Sequence, residues 1–436
     1  MKFYNRDNEI AQLRKVRDLS QRDAQLTFVV GRRRIGKTSL LLRALAGATT
    51  IYLFVAKKNE RLLCEEFVQE IKLKLAIPIY GEVKTFGELF TILMQIAKER
   101  PITVIIDEFQ ELNKVNPATY SDMQRIWDLN KAESKINLIA CGSIYSMMTN
   151  IFENAKEPLF GRATQRMHVQ AFDIKTIKEI LNDYAPNYTA EDLLTFYTVT
   201  GGVAKYVELL VQNNAFSKSA IINAVLAENS MFLEEGKHVL IEEFGKEYGN
   251  YFSILSLIAS GKTARVEMES ILEIELGGYL ARLDKEYQII KQIRPILAKP
   301  GSRLVKYKIT DKFLSFWFRF IYKNRSAIES GNLAYVKEIV ERDFSTYSGT
   351  ILEDYFIERL KDEKQYNLIG TYWEKKNQNE IDIVAVNDLK KTVLFAEVKR
   401  QKKNINLKIV ENKSVKLQDK FKGYSFTFKA LSMEDM

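Results

Sequence analysis

Eight consecutive residues near the amino terminus have the types and spacing of a phosphate-binding loop. They are Gly31, Arg32, Arg33, Arg34, Ile35, Gly36, Lys37 and Thr38. Glycines let backbone N–H groups approach a triphosphate closely, and a helix that begins here adds a partial positive charge. In this pattern Lys37 contacts the β- and γ-phosphates, and the Thr38 hydroxyl binds Mg²⁺. The sequence predicts ATP bound between the preceding apolar strand and a helix that contains Ser39.

A second apolar strand, 102–106, ends in two acids, Asp107 and Glu108. Downstream of a P-loop, such a pair predicts that Asp107 holds the Mg²⁺ shell and that Glu108 orients or deprotonates the attacking water. Acids at strand ends are common in general, but their place after a complete P-loop favours this assignment. The pair therefore implies ATP hydrolysis as well as ATP binding.

Two further residues are weaker candidates for the same site. Ser143 follows the apolar strand 138–141, where it can sense the γ-phosphate or position water, or can simply be a turn serine. Arg162 follows the turn 157–161 and can act as an arginine finger or sensor, because a guanidinium suits bidentate contact with phosphate. An ion-paired surface arginine is an equal alternative.

The carboxyl-terminal region contains another candidate site. Asp382 lies on one predicted strand, and the alternation of side chains places Glu397 and Lys399 on the same face of the next strand. This is the constellation of PD-(D/E)xK nucleases, in which two carboxylates bind Mg²⁺ or Mn²⁺ and a lysine activates water or stabilises developing charge. Glu353, on the preceding helix, is a further candidate ligand. The alternative is an exposed ion pair on a strand, or a nuclease-like fold that does not cut.

Composition narrows the remaining possibilities. The 436 residues suggest about three domains, and 46% apolar with 28% charged residues is typical of globular proteins. Two cysteines and two histidines leave no His/Cys zinc site, so any metal chemistry must use carboxylates. The first residues lack an apolar leader, and no run is long enough to span a bilayer. A cytoplasmic protein with no membrane partner is expected.

The net charge of +9 is concentrated near the carboxyl terminus. Residues 399–422 contain nine Lys or Arg but only two acids, Glu411 and Asp419. Such a run suits a surface that faces a polyanion such as DNA, and it also suits a solvated helix face.

The order of patterns along the chain predicts the architecture. Short apolar runs alternate with longer amphipathic segments up to residue 225, which indicates a parallel α/β sheet with a helical lid. Short helices and two strands, 287–293 and 303–309, separated by a Pro/Gly turn, indicate a winged helix over 226–335. A helix at 351–360 and later strands indicate an α/β nuclease-like domain over 336–436.

Several of these motifs together resemble the archaeal and bacterial ATPase family within the AAA-related, STAND-like P-loop proteins. The matching stretches are 28–38, 106–110, 141–143, 158–162 and 200–203. The resemblance covers nearly the whole chain and implies a winged helix followed by a restriction-endonuclease-like domain. One departure is Ala204, since the glycine-rich motif before it usually continues to proline.

Three functional hypotheses follow. The leading one is an ATP-hydrolysing, DNA-associated protein whose nucleotide state controls the winged helix and a metal-dependent nuclease-like domain. A second is a STAND-type ATP-dependent switch that binds protein partners and carries an inactive nuclease-like scaffold. A third is a nuclease whose ATPase regulates assembly. A homo-oligomer is compatible with all three.

Overall fold

A computed structural model of the protein describes residues 1–244, 248–299 and 301–436. The chain forms two compact units, Lys2–Ala171 and Phe172–Met436. The three domains expected from the sequence, with boundaries after residues 225 and 335, stay predictions.

The first unit is built on a five-stranded parallel sheet in the order β2-β3-β4-β1-β5. Its strands are β1 (Gln25–Val30), β2 (Thr50–Phe54), β3 (Ile102–Asp107), β4 (Ile136–Gly142) and β5 (Gln165–His168). β1, β3 and β4 are buried along their whole length, as continuous apolar runs covered on both faces should be. Because all five strands are parallel, their carboxyl ends share one edge of the sheet.

Helices cover this sheet, and those between residues 60 and 153 share one apolar core with strands β1 to β4. The helices are α1 (Asp7–Leu19), α2 (Lys37–Ala44), α3 (Glu60–Leu75), α4 (Phe86–Glu99), α5 (Leu112–Val115), α6 (Thr119–Asn130) and α7 (Tyr145–Glu153). Local sequence fixes some of their ends: α4 begins at a capping box in which Thr85 and Glu88 satisfy each other's backbone N–H groups. The α/β class expected from the alternating pattern is confirmed.

The second unit begins with five helices. They are α8 (Ile174–Tyr184), α9 (Ala190–Thr200), α10 (Ala204–Gln212), α11 (Lys218–Val225) and α12 (Met231–Phe244). A winged-helix arrangement follows: three helices and an antiparallel ribbon, with α13 (Tyr248–Ala259), α14 (Arg265–Leu272), α15 (Gly277–Lys285), β6 (Ile290–Ile293) and β7 (Lys306–Ile309).

Both ribbon strands are shorter than the sequence predicts. Gln288 has a φ of 53°, which ends the extended conformation on that side, and the Val305 N–H donates to the Arg303 carbonyl in a tight turn. Pro300, in the predicted Pro/Gly turn, lies outside the described residues. The ribbon is followed by α16 (Lys312–Phe316) and α17 (Arg325–Glu329), and the aromatic residues from Phe313 to Phe320 are buried, as expected for core.

The last part of the chain forms a four-stranded sheet in the order β11-β10-β9-β8. Its elements are α18 (Leu333–Asp362), β8 (Leu368–Tyr372), β9 (Ile381–Asn387), β10 (Thr392–Val398), α19 (Leu407–Gln418) and β11 (Ser425–Leu431). β8, β9 and β10 are antiparallel, whereas β11 pairs parallel with β10. The helix expected at 351–360 is the second half of α18, whose 30 residues extend well upstream.

Among the described residues, no helix is both long enough and apolar enough to span a bilayer, α18 included.

Candidate functional site

The phosphate-binding loop lies between β1 and α2, at the carboxyl edge of the parallel sheet. Gly36 immediately precedes α2 and has a φ of 92°, a left-handed conformation that favours glycine. A Cβ atom at Gly31 would come within 2.7 Å of the Val169 carbonyl oxygen. The backbone therefore requires both glycines. The predicted nucleotide-binding residues from Gly31 to Ser39 form this loop and the first turn of α2.

Lys37 opens α2, and its side chain bends back over the loop. Its ammonium donates hydrogen bonds to the carbonyl oxygens of Gly31 at 2.6 Å and Arg32 at 3.2 Å. The residue is largely buried, with 9% of its surface exposed. A phosphate oxygen is a stronger acceptor for this ammonium than these carbonyls, because it carries negative charge and they are neutral. The ammonium is therefore held where a bound triphosphate can recruit it.

Asp107, the last residue of β3, faces Thr38. The Thr38 hydroxyl lies 3.5 Å from Asp107 Oδ2, and the Glu108 N–H donates to Oδ1 at 2.9 Å. A hydroxyl and a carboxylate oxygen are ligands that Mg²⁺ accepts in nucleotide sites, where water and phosphate complete its shell. This donor set fits the magnesium ion that accompanies ATP.

Tyr52 is a member of this site that sequence analysis missed. Its hydroxyl donates a hydrogen bond to Asp107 Oδ2. Burial, and then the hydrogen bond to Asp107, raise the pKa of Tyr52, so the hydroxyl remains a donor at neutral pH. The contact arises because β2 pairs with β3, which sets Tyr52 opposite Ile105. No local pattern in β2 reveals which strand will be its neighbour.

Glu108 is held by two donors that converge on one oxygen. Ser143 Oγ donates to Glu108 Oε2 at 2.9 Å, and Gln110 Nε2 donates to the same atom at 2.5 Å. Glu108 itself has a φ of 53°, an unusual conformation for a residue with a side chain. Ser143, a weak candidate from sequence, thus contacts the predicted water-activating acid. Gln110 was missed, although it lies in the same strand-end motif.

Arg162 lies in an ion pair. Its guanidinium contacts Asp128 Oδ2 at 2.7 Å and donates to the Phe160 carbonyl oxygen at 3.0 Å. These contacts match the ion-paired alternative stated for it, and a role as an arginine finger stays a prediction.

The structure brings Asp382, Glu397 and Lys399 together at one edge of the carboxyl-terminal sheet. Asp382 is near the start of β9, and Glu397 is near the end of the antiparallel β10. Lys399 Nζ lies 3.4 Å from Asp382 Oδ2 and 3.0 Å from Glu397 Oε1. Asp382 Oδ2 also accepts the Val398 N–H at 2.8 Å. The lysine therefore bridges the two carboxylates.

Electrostatics at this cluster reflect the crowding of acids. Burial, and then the Glu397 charge, raise the pKa of Asp382. Burial acts against the Lys399 ammonium, but Asp382 and Glu397 more than offset it and raise the pKa of Lys399. On α18, burial and then the Asp382 charge raise the pKa of Glu353 to about 8. The charge of the cluster therefore acts on Glu353, which is mostly protonated at neutral pH.

Sequence analysis missed two lysines beside these acids. Lys308, on β7, pairs with Asp354 at 2.7 Å, next to Glu353 in the sequence. Lys413, on α19, lies 3.6 Å from Glu397 Oε2. In the sequence, Lys413 was only one member of the basic run 399–422. The residues around it on the helix do not reveal which strand the helix packs on, so its contact with Glu397 could not be predicted.

Other lysines of that run differ in their surroundings. Lys402 pairs with Asp435 at 3.4 Å, and Lys416 pairs with Glu374 at 2.9 Å. Lys403 and Lys408 are exposed. The run is therefore partly an ion-paired surface and partly open charge.

The carboxyl-terminal cluster can be tested for its fit to a metal. Within the parts of the chain that the structure describes, no group of three or more His, Cys, Asp or Glu is arranged to hold a metal ion. Asp382 and Glu397 still supply the hard oxygen ligands that Mg²⁺ and Mn²⁺ prefer, and Glu397 Oε2 is buried without a hydrogen bond. Two carboxylates suffice for an ion that keeps several waters.

Comparison with protein families divides the chain into two matched parts. Residues 3–210 match a family described as an ATPase domain predominantly from Archaea, and residues 317–415 match one described as archaeal and bacterial proteins of unknown function. The chain thus combines a stretch similar to an archaeal P-loop ATPase domain with a later stretch similar to the second family. This confirms the resemblance inferred from the motifs.

Individual proteins resemble this chain over most of its length. An uncharacterized protein of Methanocaldococcus jannaschii is 28% identical over 99% of this chain and 97% of its own length. The Walker-type ATPase of Pyrococcus abyssi shares the fold with a TM-score of 0.53 at 18% identity, over 72% of this chain and 96% of that one. The ORC2 protein of Aeropyrum pernix, solved as ADPNP–ADP complexes, has a TM-score of 0.50 at 13% identity. The match covers 76% of this chain and 96% of that one.

The raised pKa of Glu353 predicts a pH-dependent stability. The folded protein holds this proton up to about pH 8, whereas the ordinary pKa is 4.5. The stabilisation is complete below 4.5 and is lost as pH rises through 8. Wild type should therefore lose Tm relative to Glu353→Gln between these values, by about 3 °C or more, in thermal scans. The control is Glu338→Gln, the same substitution at an exposed position on the same helix. A constant difference for Glu353→Gln would contradict the shift.

Proposed function

We propose that this protein hydrolyses ATP at the P-loop and that its nucleotide state controls a DNA-associated carboxyl-terminal domain. The observation that supports ATP hydrolysis is the hydrogen bond from Ser143 to Glu108. Glu108 directly follows Asp107, and both acids lie at the same edge of the parallel sheet as the P-loop. Every residue type needed for phosphoryl transfer to water is present there.

Each side chain has a distinct part in this proposal. Lys37 leaves the loop carbonyls and neutralises charge on the β- and γ-phosphates, while Thr38 and Asp107 would hold a magnesium ion. That ion, when bound, withdraws charge from the phosphate oxygens. Glu108 accepts a proton from the attacking water through Oε1, because Ser143 and Gln110 donate to Oε2. Ser143 and Gln110 are positioning residues in this scheme.

Two substitutions separate binding from hydrolysis. Lys37→Ala should abolish hydrolysis and weaken ATP binding, because the phosphates lose their cation. Glu108→Gln should retain ATP but slow kcat by about 100-fold or more, since only water activation is lost. The measurements are steady-state phosphate release and equilibrium ATP binding. Glu111→Gln is the matched control, because Glu111 pairs with Lys114 instead. Normal turnover in Glu108→Gln would exclude Glu108 as the base.

A polar contact supports communication with the carboxyl-terminal cluster. Arg400 follows Lys399 directly, forms an ion pair with Glu191 on α9, and donates to Ser348 Oγ at 2.6 Å. Glu191 belongs to the stretch that matches the ATPase family, whereas Arg400 belongs to the second matched domain. ATP can act through such a contact only if it favours one of two conformations.

DNA should consequently stimulate ATP hydrolysis by wild type, and Arg400→Gln should lose most of the stimulation while keeping its basal rate. Phosphate release with and without single- and double-stranded DNA measures both. Lys402→Gln, which breaks a different ion pair, is the control. Stimulation by a protein but by no DNA form would favour the STAND-type switch instead.

A second candidate activity is cleavage of phosphodiester bonds by the carboxyl-terminal cluster. The observation that favours it is the bridging of Asp382 and Glu397 by Lys399. Asp382 and Glu397 would hold Mg²⁺ or Mn²⁺, which supplies Lewis-acid activation of the phosphate. Lys399 would orient an attacking water or stabilise charge that develops on the phosphate. An inactive scaffold is the alternative.

Asp382→Asn should eliminate cleavage in Mg²⁺ or Mn²⁺ while ATP hydrolysis stays within about twofold of wild type. The amide oxygen can still accept the Val398 N–H, so the fold should persist. Gel assays on linear, branched and single-stranded DNA measure cleavage. Asp388→Asn, in the same β9–β10 hairpin but bonded to Asn367, is the control. If wild type cleaves none of these substrates, the scaffold interpretation is the better one.

A further inference from the structure

Lys413 is set apart from the other lysines of the basic run by its position. α19 packs on the sheet through Val410, Ser414 and Leu417, which are buried one turn apart. Lys413 lies beside this packed face, and only 28% of its side chain is exposed, compared with 70% for Lys416 on the same helix. The core therefore fixes where the Lys413 side chain begins, and it extends toward the edge that carries Glu397.

The two oxygens of Glu397 face different lysines. Oε1 is 3.0 Å from Lys399 Nζ, a distance suited to a hydrogen bond. Oε2 is 3.6 Å from Lys413 Nζ, which is an ion pair but is too long for a hydrogen bond. Oε2 is also buried without any hydrogen-bond partner in the described parts of the chain. The Lys413 ammonium thus lies close to Glu397 without forming a hydrogen bond to it.

The charge balance explains what such an ammonium can do. Asp382 and Glu397 together would repel a phosphate diester, and Lys399 offsets one of the two charges. Lys413 offsets the other, and it approaches from α19 rather than from β10, which carries Glu397 and ends just before Lys399. When a phosphate reaches this edge, Lys399 already bridges the carboxylates, and the Lys413 ammonium can turn toward the phosphate.

We propose that Lys413 is a phosphate-binding residue of this cluster, whose ammonium contacts a non-bridging oxygen of a nucleic-acid phosphate. The proposal rests on the proposed nuclease-like function of the same edge and names the residue that anchors its substrate. Lys399 keeps its place between the carboxylates. The competing explanation is that Lys413 serves only as a counter-ion of Glu397.

DNA binding by the full-length protein tests this without requiring cleavage. The probe is a short fluorescent duplex, titrated by anisotropy over a range of salt with Ca²⁺ in place of Mg²⁺. Lys413→Met should weaken binding about 5- to 10-fold at low salt and should reduce the slope of log K against log salt by about 0.9, the value for one phosphate contact. Lys413→Arg should restore the slope. Lys416→Met, one turn away and paired with Glu374, should leave it unchanged.

A second background separates a phosphate contact from a counter-ion. In Glu397→Gln the carboxylate charge is gone. If Lys413 served only to balance that charge, Lys413→Met would have no effect on DNA binding in this background. The proposal expects Lys413→Met to reduce the slope by the same amount in this background. Loss of the effect there, an unchanged slope in Lys413→Met, or an equal reduction in Lys416→Met would overturn it.

The proposed function fails in a different way. Wild type that binds DNA but cleaves none in Mg²⁺ or Mn²⁺ would exclude cleavage while leaving the Lys413 comparison valid. Wild type that does not bind DNA under any of these conditions would overturn the phosphate contact as well.

Discussion

Acids crowded at the ends of buried strands have to be neutralised, and both candidate sites are organised by this electrostatic requirement. Asp107 is surrounded by donors, with the Tyr52 hydroxyl, the Thr38 hydroxyl and the Glu108 N–H on its two oxygens. Asp382 and Glu397 are instead bridged by the Lys399 ammonium. At Glu353, burial and the Asp382 charge outweigh the nearby Lys308 and Lys399, so this acid holds its proton, as its raised pKa indicates.

The two sheets create these clusters by different means. In the parallel sheet, all carboxyl ends lie at one edge, so the residues after β1, β3 and β4 meet although they are far apart in sequence. In the carboxyl-terminal sheet, antiparallel pairing brings the start of β9 to the end of β10. The first arrangement leaves a concave loop for phosphates. The second brings two carboxylates within reach of one lysine.

Regulation would need a connection between nucleotide state and the carboxyl-terminal cluster. The Arg400 side chain, adjacent in sequence to Lys399, is fixed by Glu191 and by the buried Ser348. A displacement of α9 would therefore act on the residue next to the bridging lysine. Lys218 also pairs with Glu191, at 3.1 Å, so α11 takes part in the same polar network.

Sequence alone determined the features that depend on neighbours along the chain. The P-loop, the acids at the end of β3 and the spacing of Glu397 and Lys399 could be predicted, because a strand, a turn and a helix start are encoded locally. The ends of β6 and β7 were not predicted, since turns at Gln288 and Val305 shorten them.

Tertiary structure alone decided which distant side chains share a site. Tyr52 meets Asp107 through strand pairing, Ser143 donates to Glu108 from 35 positions away, and Lys413 reaches Glu397 because α19 packs on that face of the sheet. Arg162 is directed to Asp128, 34 positions away. Contacts of this kind depend on strand order and on where each helix packs, and both are determined by the packing of the whole core. The local periodicity of the sequence does not predict either.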